Sequence, residues 1–540
     1  MTMMTLEQQV GEMMMAGFEG LEAPAHILEW LRAGRIGGVI LFARNVDSPA
    51  QVLRLTHALR EAAGRPILIG IDQEGGTVAR LRSGFTESPG AMAISACSED
   101  AEGYSERVSA VLGAEMRALG INWTFAPVLD ITHDIRNPSV GTRSYGNDRE
   151  RVGLLATAAV RGFESAGVAA CLKHFPGLGK SLVDTHVDLA VISGPVDDLY
   201  RTDLIPFRRV IQSGVASVMI THVKFDALDT ENPATMAGAV VEGLLRDTLD
   251  YEALVTTDCM EMKAITRYFG SGEAAVRSVL AGIDVVLNSH TVEAQTAAYE
   301  AVLSAVKSGR IPLERISESN RRIAAMKARF AGEDAERPAL SSIRSEAHLA
   351  TVREAARAGC VLMAEGEFTA EQQSSKGAEG IFPLPLGLGK RIALIEFASA
   401  MDSEAMDTTG TTAFSSIVRE RLPEVSIFSI APGAVPTEIQ QSALEQAASA
   451  DTIVLATRNA HLNPAQQALA SDLLTEHGSK TILLCLRNPY DAGLLPTRAF
   501  TLFTCGDATP SLEAAADALA GAFTPSGVLP VPLAAGLAVT

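Results

Sequence analysis

Apolar runs in the first half of the chain end repeatedly on a side chain that can carry charge or accept a hydrogen bond. Asp72 closes ILIGID, Asp130 closes the run containing Pro127, Lys173 and His174 close AACL, His222 closes VMIT, Asp258 closes LVTT and Asn288 closes DVVL. Taken singly, each is better explained by strand-end or helix-capping hydrogen bonds. Taken together they gather acids, a lysine and imidazoles without the spacing of a metal site, a set suited to holding sugar hydroxyls and moving protons. The richest stretch is KHFPGLGKSLVDTHVD, 173–188. Its G-K-S at 179–181 invites comparison with a phosphate-cradling loop, but that pattern requires glycine at the position of His174. Asp184 and His186 offer different chemistry, because a carboxylate beside an imidazole fixes its tautomer and raises its basicity. Without its surroundings, His186 reads as an ordinary exposed loop histidine.

For these residues to meet, the elements carrying them must end on one rim. Short apolar or β-branched runs recur at 13–18, 37–42, 67–72, 122–130, 169–174, 217–222, 254–258 and 284–288. Between them lie segments such as 48–64, 150–167 and 204–214, whose apolar residues fall at three- and four-residue intervals, as on a helix. Strands apolar on both faces and alternating with helices specify a parallel sheet. This repetition predicts an α/β fold with a (β/α)8 TIM-type barrel, the alternative being an open doubly wound sheet. In a parallel barrel the site lies at the carboxyl ends of the strands, where the residues above fall.

After Arg329 the composition changes to AGEDAERPALSSIRSEAH, charged and containing Pro and Ser, which marks an interdomain junction near 335–345. The expected division is a barrel domain over 1–338, a linker over 339–345 and a smaller α/β sandwich domain over 346–540. Runs at 391–397, 452–458, 481–487 and 499–505 with a helical segment at 464–478 predict four or five strands in that second domain. Residues 364–390 carry no strong signal.

Composition narrows the functional classes. The 540-residue chain is 47% hydrophobic and 20% charged, a folded globular profile. Its net charge of -19, from 64 acids against 45 bases, argues against nucleic acid as a partner. The six cysteines are scattered singly, with no C-x-x-C pair, and the first ten residues lack the basic and apolar regions of a secretory leader. Both point to a cytoplasmic location. The uncharged stretch 520–540 is interrupted by Pro525, Pro530 and Pro532, so no membrane segment is expected.

The ordered set GGVILFARN (37–45), GIDQEGGTVAR (70–80), GTRSYG (141–146), KHFPGLGKSLVDTH (173–186) and VTTDCMEM (255–262) resembles glycoside hydrolase family 3, in its β-N-acetylglucosaminidase branch. NPYD (488–491) and PSGVLPV (525–531) resemble pieces of that family's second domain. The resemblance implies Asp258 as nucleophile, the Asp184/His186 pair as general acid/base, and Asp72, Arg80, Arg143, Lys173 and His174 as residues that hold the sugar. It implies a retaining, exo-acting enzyme with no metal or cofactor, working on a small GlcNAc-containing carbohydrate such as a muropeptide or a chito-oligosaccharide. The branch usually reads KHFPGHG, and this chain carries Leu178 in place of that histidine. An imidazole repels an incoming anion less than a carboxylate does, so phosphate is an alternative acceptor to water. A β-glucosidase is a further alternative, although that branch does not share D-T-H. A catalytically silent sugar-binding protein is argued against by the intact nucleophile and dyad. The chain is expected to be a monomer or a homodimer.

Overall fold

The computed structural model describes residues 4–332, 337–364, 386, 390–399, 413–496 and 498–533. Eight parallel strands form the first sheet: Met14–Ala16 (β1), Gly38–Leu41 (β2), Leu68–Ile71 (β3), Trp123–Thr124 (β4), Cys171–Phe175 (β5), Ser217–Ile220 (β6), Leu254–Cys259 (β7) and Val285–Asn288 (β8). They pair in the order β4-β3-β2-β1-β8-β7-β6-β5, and parallel bridges Trp123 to Ala169 and Val128 to Lys173 join the two end strands. The sheet is therefore a barrel and not the open doubly wound alternative. Its strands are buried almost throughout, which is why they appear in the sequence as apolar runs without alternation.

Helices between successive strands cover the outside. Pro49–Ala63, Arg149–Ser165 and Leu204–Ser213 fall within a residue or two of the segments expected from helical spacing. The run 122–130 departs from expectation, since only Trp123 and Thr124 are strand. Pro127 has no N–H to give to a ladder, so the chain leaves the sheet and rejoins it only at Val128. Beyond β3 the chain makes a small hairpin, Gln73–Gly75 against Val78–Ala79, that apolar patterning does not show. Gly75 (φ +89°) and Gly76 (φ +60°) form its turn in the left-handed region, which explains the GG pair. At the opposite, amino-terminal end of β8, buried Asp284 accepts from Arg246, Arg315 and Arg322, a charge cluster that ties helices to the barrel floor.

The second half forms a six-stranded sheet among the described residues: Val361–Ala364 (β9), Ile392–Phe397 (β10), Ser426–Ile430 (β11), Thr452–Thr457 (β12), Thr481–Cys485 (β13) and Phe500–Phe503 (β14), in the order β9-β14-β13-β12-β10-β11. The strands not foreseen, β9 and β11, are the two edges. β9 is short and antiparallel to β14, and β11 buries only Ile430 fully, so neither shows a continuous apolar run. Most of the unassigned segment 364–390 lies outside the described residues. In the central strands, Leu394, Val454, Leu484 and Leu502 enter one apolar cluster, while their neighbours Ile395, Leu455, Leu483 and Phe503 enter another. That period of two places helices on both faces, as in an α/β sandwich. Met92, Ala93, Ala96 and Ile135 of the barrel half belong to the second of these clusters. No helix among the described residues is long and apolar enough to cross a membrane; residues 534–540 lie outside them.

Candidate active site

The carboxyl ends of the barrel strands enclose a cavity of about 320 Å³. Asp72, Arg80, Arg143, Lys173, His174, His186 and Asp258 all line it. Three of the rim candidates do not: Asn288, His222 and Asp130, which stands behind His174. Asn288 ends β8 but its side chain lies outside the lining, and His222 lies behind Asp258, where its Nε2 donates to the Cys259 carbonyl at 2.9 Å. Thr235 Oγ1 lies 2.9 Å from its Nδ1, and burial lowers the pKa of the ring.

The deepest part of the cavity is a chain of buried charges. The hairpin after β3 presents Asp72 and Glu74 on one side while Gln73 faces the other, where its Oε1 accepts from the backbone N–H groups of Arg80 and Leu81. Lys173 Nζ sits 2.8 Å from Asp72 Oδ1 and 2.6 Å from Glu74 Oε1. Arg143 clasps Glu74 with two parallel bonds of 2.9 and 2.8 Å, and Arg80 lies 3.6 Å from Asp72. Burial would raise the Glu74 carboxyl, but Arg143 and Lys173 outweigh it and hold the acid well below the usual carboxylate range. Desolvation would lower Lys173, but Asp72 and Glu74 outweigh it and raise its pKa. Glu74 escapes sequence reading because its partners stand 69 and about 100 residues away; its only signal is its place two residues beyond Asp72 in an alternating hairpin.

Breaking this cluster has a defined cost. Glu74→Ala leaves buried Arg143 without its carboxylate and Lys173 with Asp72 alone, and is expected to lower unfolding free energy by about 3–5 kcal/mol, read as a shifted urea midpoint. Because the folded chain lowers the pKa of Glu74, its contribution is complete above the ordinary value of 4.5 and fades as pH falls below it. The gap between wild type and variant should therefore narrow in acid; a gap that widens there contradicts the pairing.

Lys173 and His174 both face the cavity although adjacent in β5, where the register against β6 shifts between Leu172 and Phe175. Behind His174, Asp130 Oδ2 lies 2.6 Å from its Nδ1 while Oδ1 accepts from the Leu178 N–H at 2.6 Å. Asp130 is thus a support for the imidazole and for the loop, and Leu178 contributes to that bond only its backbone. The Leu178 side chain is buried in the barrel core, so the departure at this position adds apolar packing at the base of the loop.

The loop itself carries Asp184 and His186. Asp184 Oδ1 accepts from the His186 N–H at 2.9 Å and from its Nδ1 at 2.8 Å. An ionised carboxylate only accepts, so Nδ1 carries a proton and Nε2 is left to gain or lose one. The loop is held at one end by Asn137, whose Nδ2 donates to the carbonyls of Leu178 and Gly179. At the other end Asp188 accepts from Arg267 and Tyr268. Asp258, at the end of β7, accepts from the Cys259 N–H at 2.7 Å. Burial pushes its carboxyl up, but the fields of His222, His174 and His186 outweigh this and hold it below its ordinary value, as an anion. On the remaining wall, Phe42 is covered by the Arg44 guanidinium at 4.3 Å and by His290 at 5.5 Å. These wall residues have no strand-end signal. Among the described residues no group of three or more His, Cys, Asp or Glu is arranged to hold a metal.

The family description "Glycosyl hydrolase family 3 N terminal domain" matches residues 5–326. The chain belongs to glycosyl hydrolase family 3. Relatives in this family include "Beta-hexosaminidase A" of Pseudoalteromonas piscicida, 34% identical over 332 residues, which are 57% of this chain and 56% of that protein. The chain thus spans little more than half the length of that relative. "Beta-hexosaminidase" of Xylella fastidiosa is 38% identical over 283 residues, covering 52% of this chain and 83% of the relative. Among solved structures, a glycoside hydrolase family 3 β-N-acetylglucosaminidase from Paenibacillus sp. matches with a TM-score of 0.89 at 36% identity, covering 100% of both chains. That match extends the likeness beyond the family 3 barrel to the second sheet.

Proposed function

We propose that this glycoside hydrolase is a retaining, exo-acting β-N-acetylglucosaminidase that removes terminal GlcNAc from muropeptides or chito-oligosaccharides. The observation that carries the reading is a single cavity in which an ionised Asp258 and His186, backed by Asp184, accompany the Asp72, Glu74, Lys173 and Arg143 cluster. Asp258 attacks the anomeric carbon as His186 Nε2 protonates the leaving oxygen. His186 then takes a proton from the water that opens the glycosyl-enzyme, and the two inversions give retention. Asp72, Arg80, Arg143, Lys173 and His174 hold the sugar hydroxyls, with Glu74 keeping the two innermost cations in place. The β-N-acetylglucosaminidase named for the Paenibacillus structure, similar over the whole chain, supports this specificity. The six cysteines, all buried and unpaired, support a cytoplasmic setting.

Turnover of an aryl β-N-acetylglucosaminide should exceed that of the aryl β-glucoside by about 10²-fold or more, since a site built for the acetamido group leaves polar groups unpaired without it. Equal kcat/KM for the two would overturn the specificity. Running the assay with and without inorganic phosphate decides the acceptor: free GlcNAc in both supports hydrolysis, and GlcNAc-1-phosphate would replace water by phosphate.

A further inference from the structure

Among the described residues the second domain contributes none of the cavity lining, yet it touches the loop that carries Arg143. That loop, between β4 and the helix Arg149–Ser165, turns through Gly141–Arg143, and Gly141 has φ +44°. A Cβ on Gly141 would lie 2.8 Å from Asn488 Nδ2 and 3.0 Å from its Oδ1, so the amide of Asn488 lies directly against this α-carbon. Asn488 is itself fixed: its backbone N–H and its Nδ2 both donate to Asn459 Oδ1, at 3.2 and 3.0 Å. Asp491, in the same turn, accepts from the N–H and Nδ1 of His461, and that ring meets Tyr490 edge-on at 5.3 Å. Asn488, Tyr490 and Asp491 are all buried. A second strap lies at the far end of the loop, where Pro530 O accepts from Asn147 N–H at 3.5 Å and closes on Gly146. Ile135, midway, packs in the apolar cluster of Tyr490 and Val531.

We infer that Asn488 is a positioning residue for the sugar-holding half of the cavity, acting through Gly141 on Arg143. The route is short and made of stiff links. Asn488 sets the Gly141 turn, the turn sets the Arg143 guanidinium, Arg143 orients Glu74 by two bonds, and Glu74 shares Lys173 with Asp72. Asn488 belongs to the NPYD turn, so this assigns a task in the active site to a motif that no step of the chemistry uses. The inference rests on the proposed role of Lys173 and its neighbours in holding the sugar.

The test uses the full chain, with kcat, KM and the Kd for GlcNAc measured for Asn488→Ala, Gly141→Ala, the double variant and Lys173→Ala. Asn488→Ala is expected to raise KM and Kd by about 5- to 10-fold with kcat within about 2-fold, because a loosened turn weakens ground-state binding. Gly141→Ala should do more, since its methyl meets Asn488 and φ +44° strains any Cβ, and the double variant should regain part of the affinity because the methyl then has space. An Asn488→Ala enzyme with unchanged KM and Kd, whatever its melting temperature, overturns the inference. Should Asn488→Ala not fold, Asn488→Ser is read by the same criteria. Lys173→Ala separates the two levels: if it leaves Kd unchanged, the sugar-holding reading fails; if it weakens binding while the Asn488 variants do not, only the positioning role fails.

Discussion

Asp258→Asn is expected to lower kcat on an aryl β-N-acetylglucosaminide by about 10⁴-fold or more while the Kd for GlcNAc stays within about 3-fold. The amide matches the carboxylate in shape and can still accept from the Cys259 N–H, so the end of β7 should not move. What it lacks is charge. In the wild type, His222, His174 and His186 hold Asp258 as an anion in spite of burial, and this anion is the one nucleophile in the proposed first step. The residues proposed to hold the sugar show no hydrogen bond to Asp258 and pair with one another, with Glu74 and with Asp130, which is why binding should survive. Calorimetric titration with GlcNAc beside a chromogenic rate assay separates the two quantities. Turnover near wild type would remove Asp258 from the mechanism, and loss of binding in step with kcat would make it a binding group instead.

What the sequence discloses of this fold depends on where each feature is encoded. The barrel is legible because its strands are buried on both faces and its helices are amphipathic, so each element carries its own local pattern. Asp258, Lys173 and His174 are legible for the same reason, as polar residues ending apolar runs. The edge strands β9 and β11 are half-covered and lose that pattern. Glu74 is harder still: its charge is meaningful only beside Arg143 and Lys173, which the chain brings from a distant loop and another strand end. Strand-end placement also cannot separate a group that lines the cavity from one that stands behind it. Asp130 and His222 end runs as clearly as Asp258 does, yet one orients His174 and the other fixes the Cys259 carbonyl. His186 lies on a loop with no periodicity, and only its family motif singles it out; the hydrogen bond to Asp184 then supplies a physical reason for its tautomer. Asn488 marks the limit, because its effect passes through a glycine in the other half of the molecule.

His186→Ala is expected to reduce kcat by about 10²- to 10⁴-fold, with the size of the loss set by the leaving group. With a poorly activated aglycone the first step needs a proton on the departing oxygen, and the alanine variant has none to give. A dinitrophenyl group departs without that help, so glycosylation of Asp258 should remain fast while water, no longer deprotonated, opens the intermediate slowly. The expected signature is a burst of dinitrophenol followed by a slow steady state. Azide needs no general base and should restore steady-state turnover, giving β-configured glycosyl azide if the intermediate is covalent. Asp184→Asn should lie between wild type and His186→Ala. The amide oxygen can still accept from Nδ1, but the negative charge that supports the imidazolium is gone, and a rotated amide would favour the opposite tautomer. A His186→Ala enzyme that loses activity equally on both aglycones, shows no burst and does not respond to azide would take the proton transfer away from this residue. The Asp184 to His186 hydrogen bond would then be a loop-stabilising contact, and the proton donor would have to be sought elsewhere in the cavity.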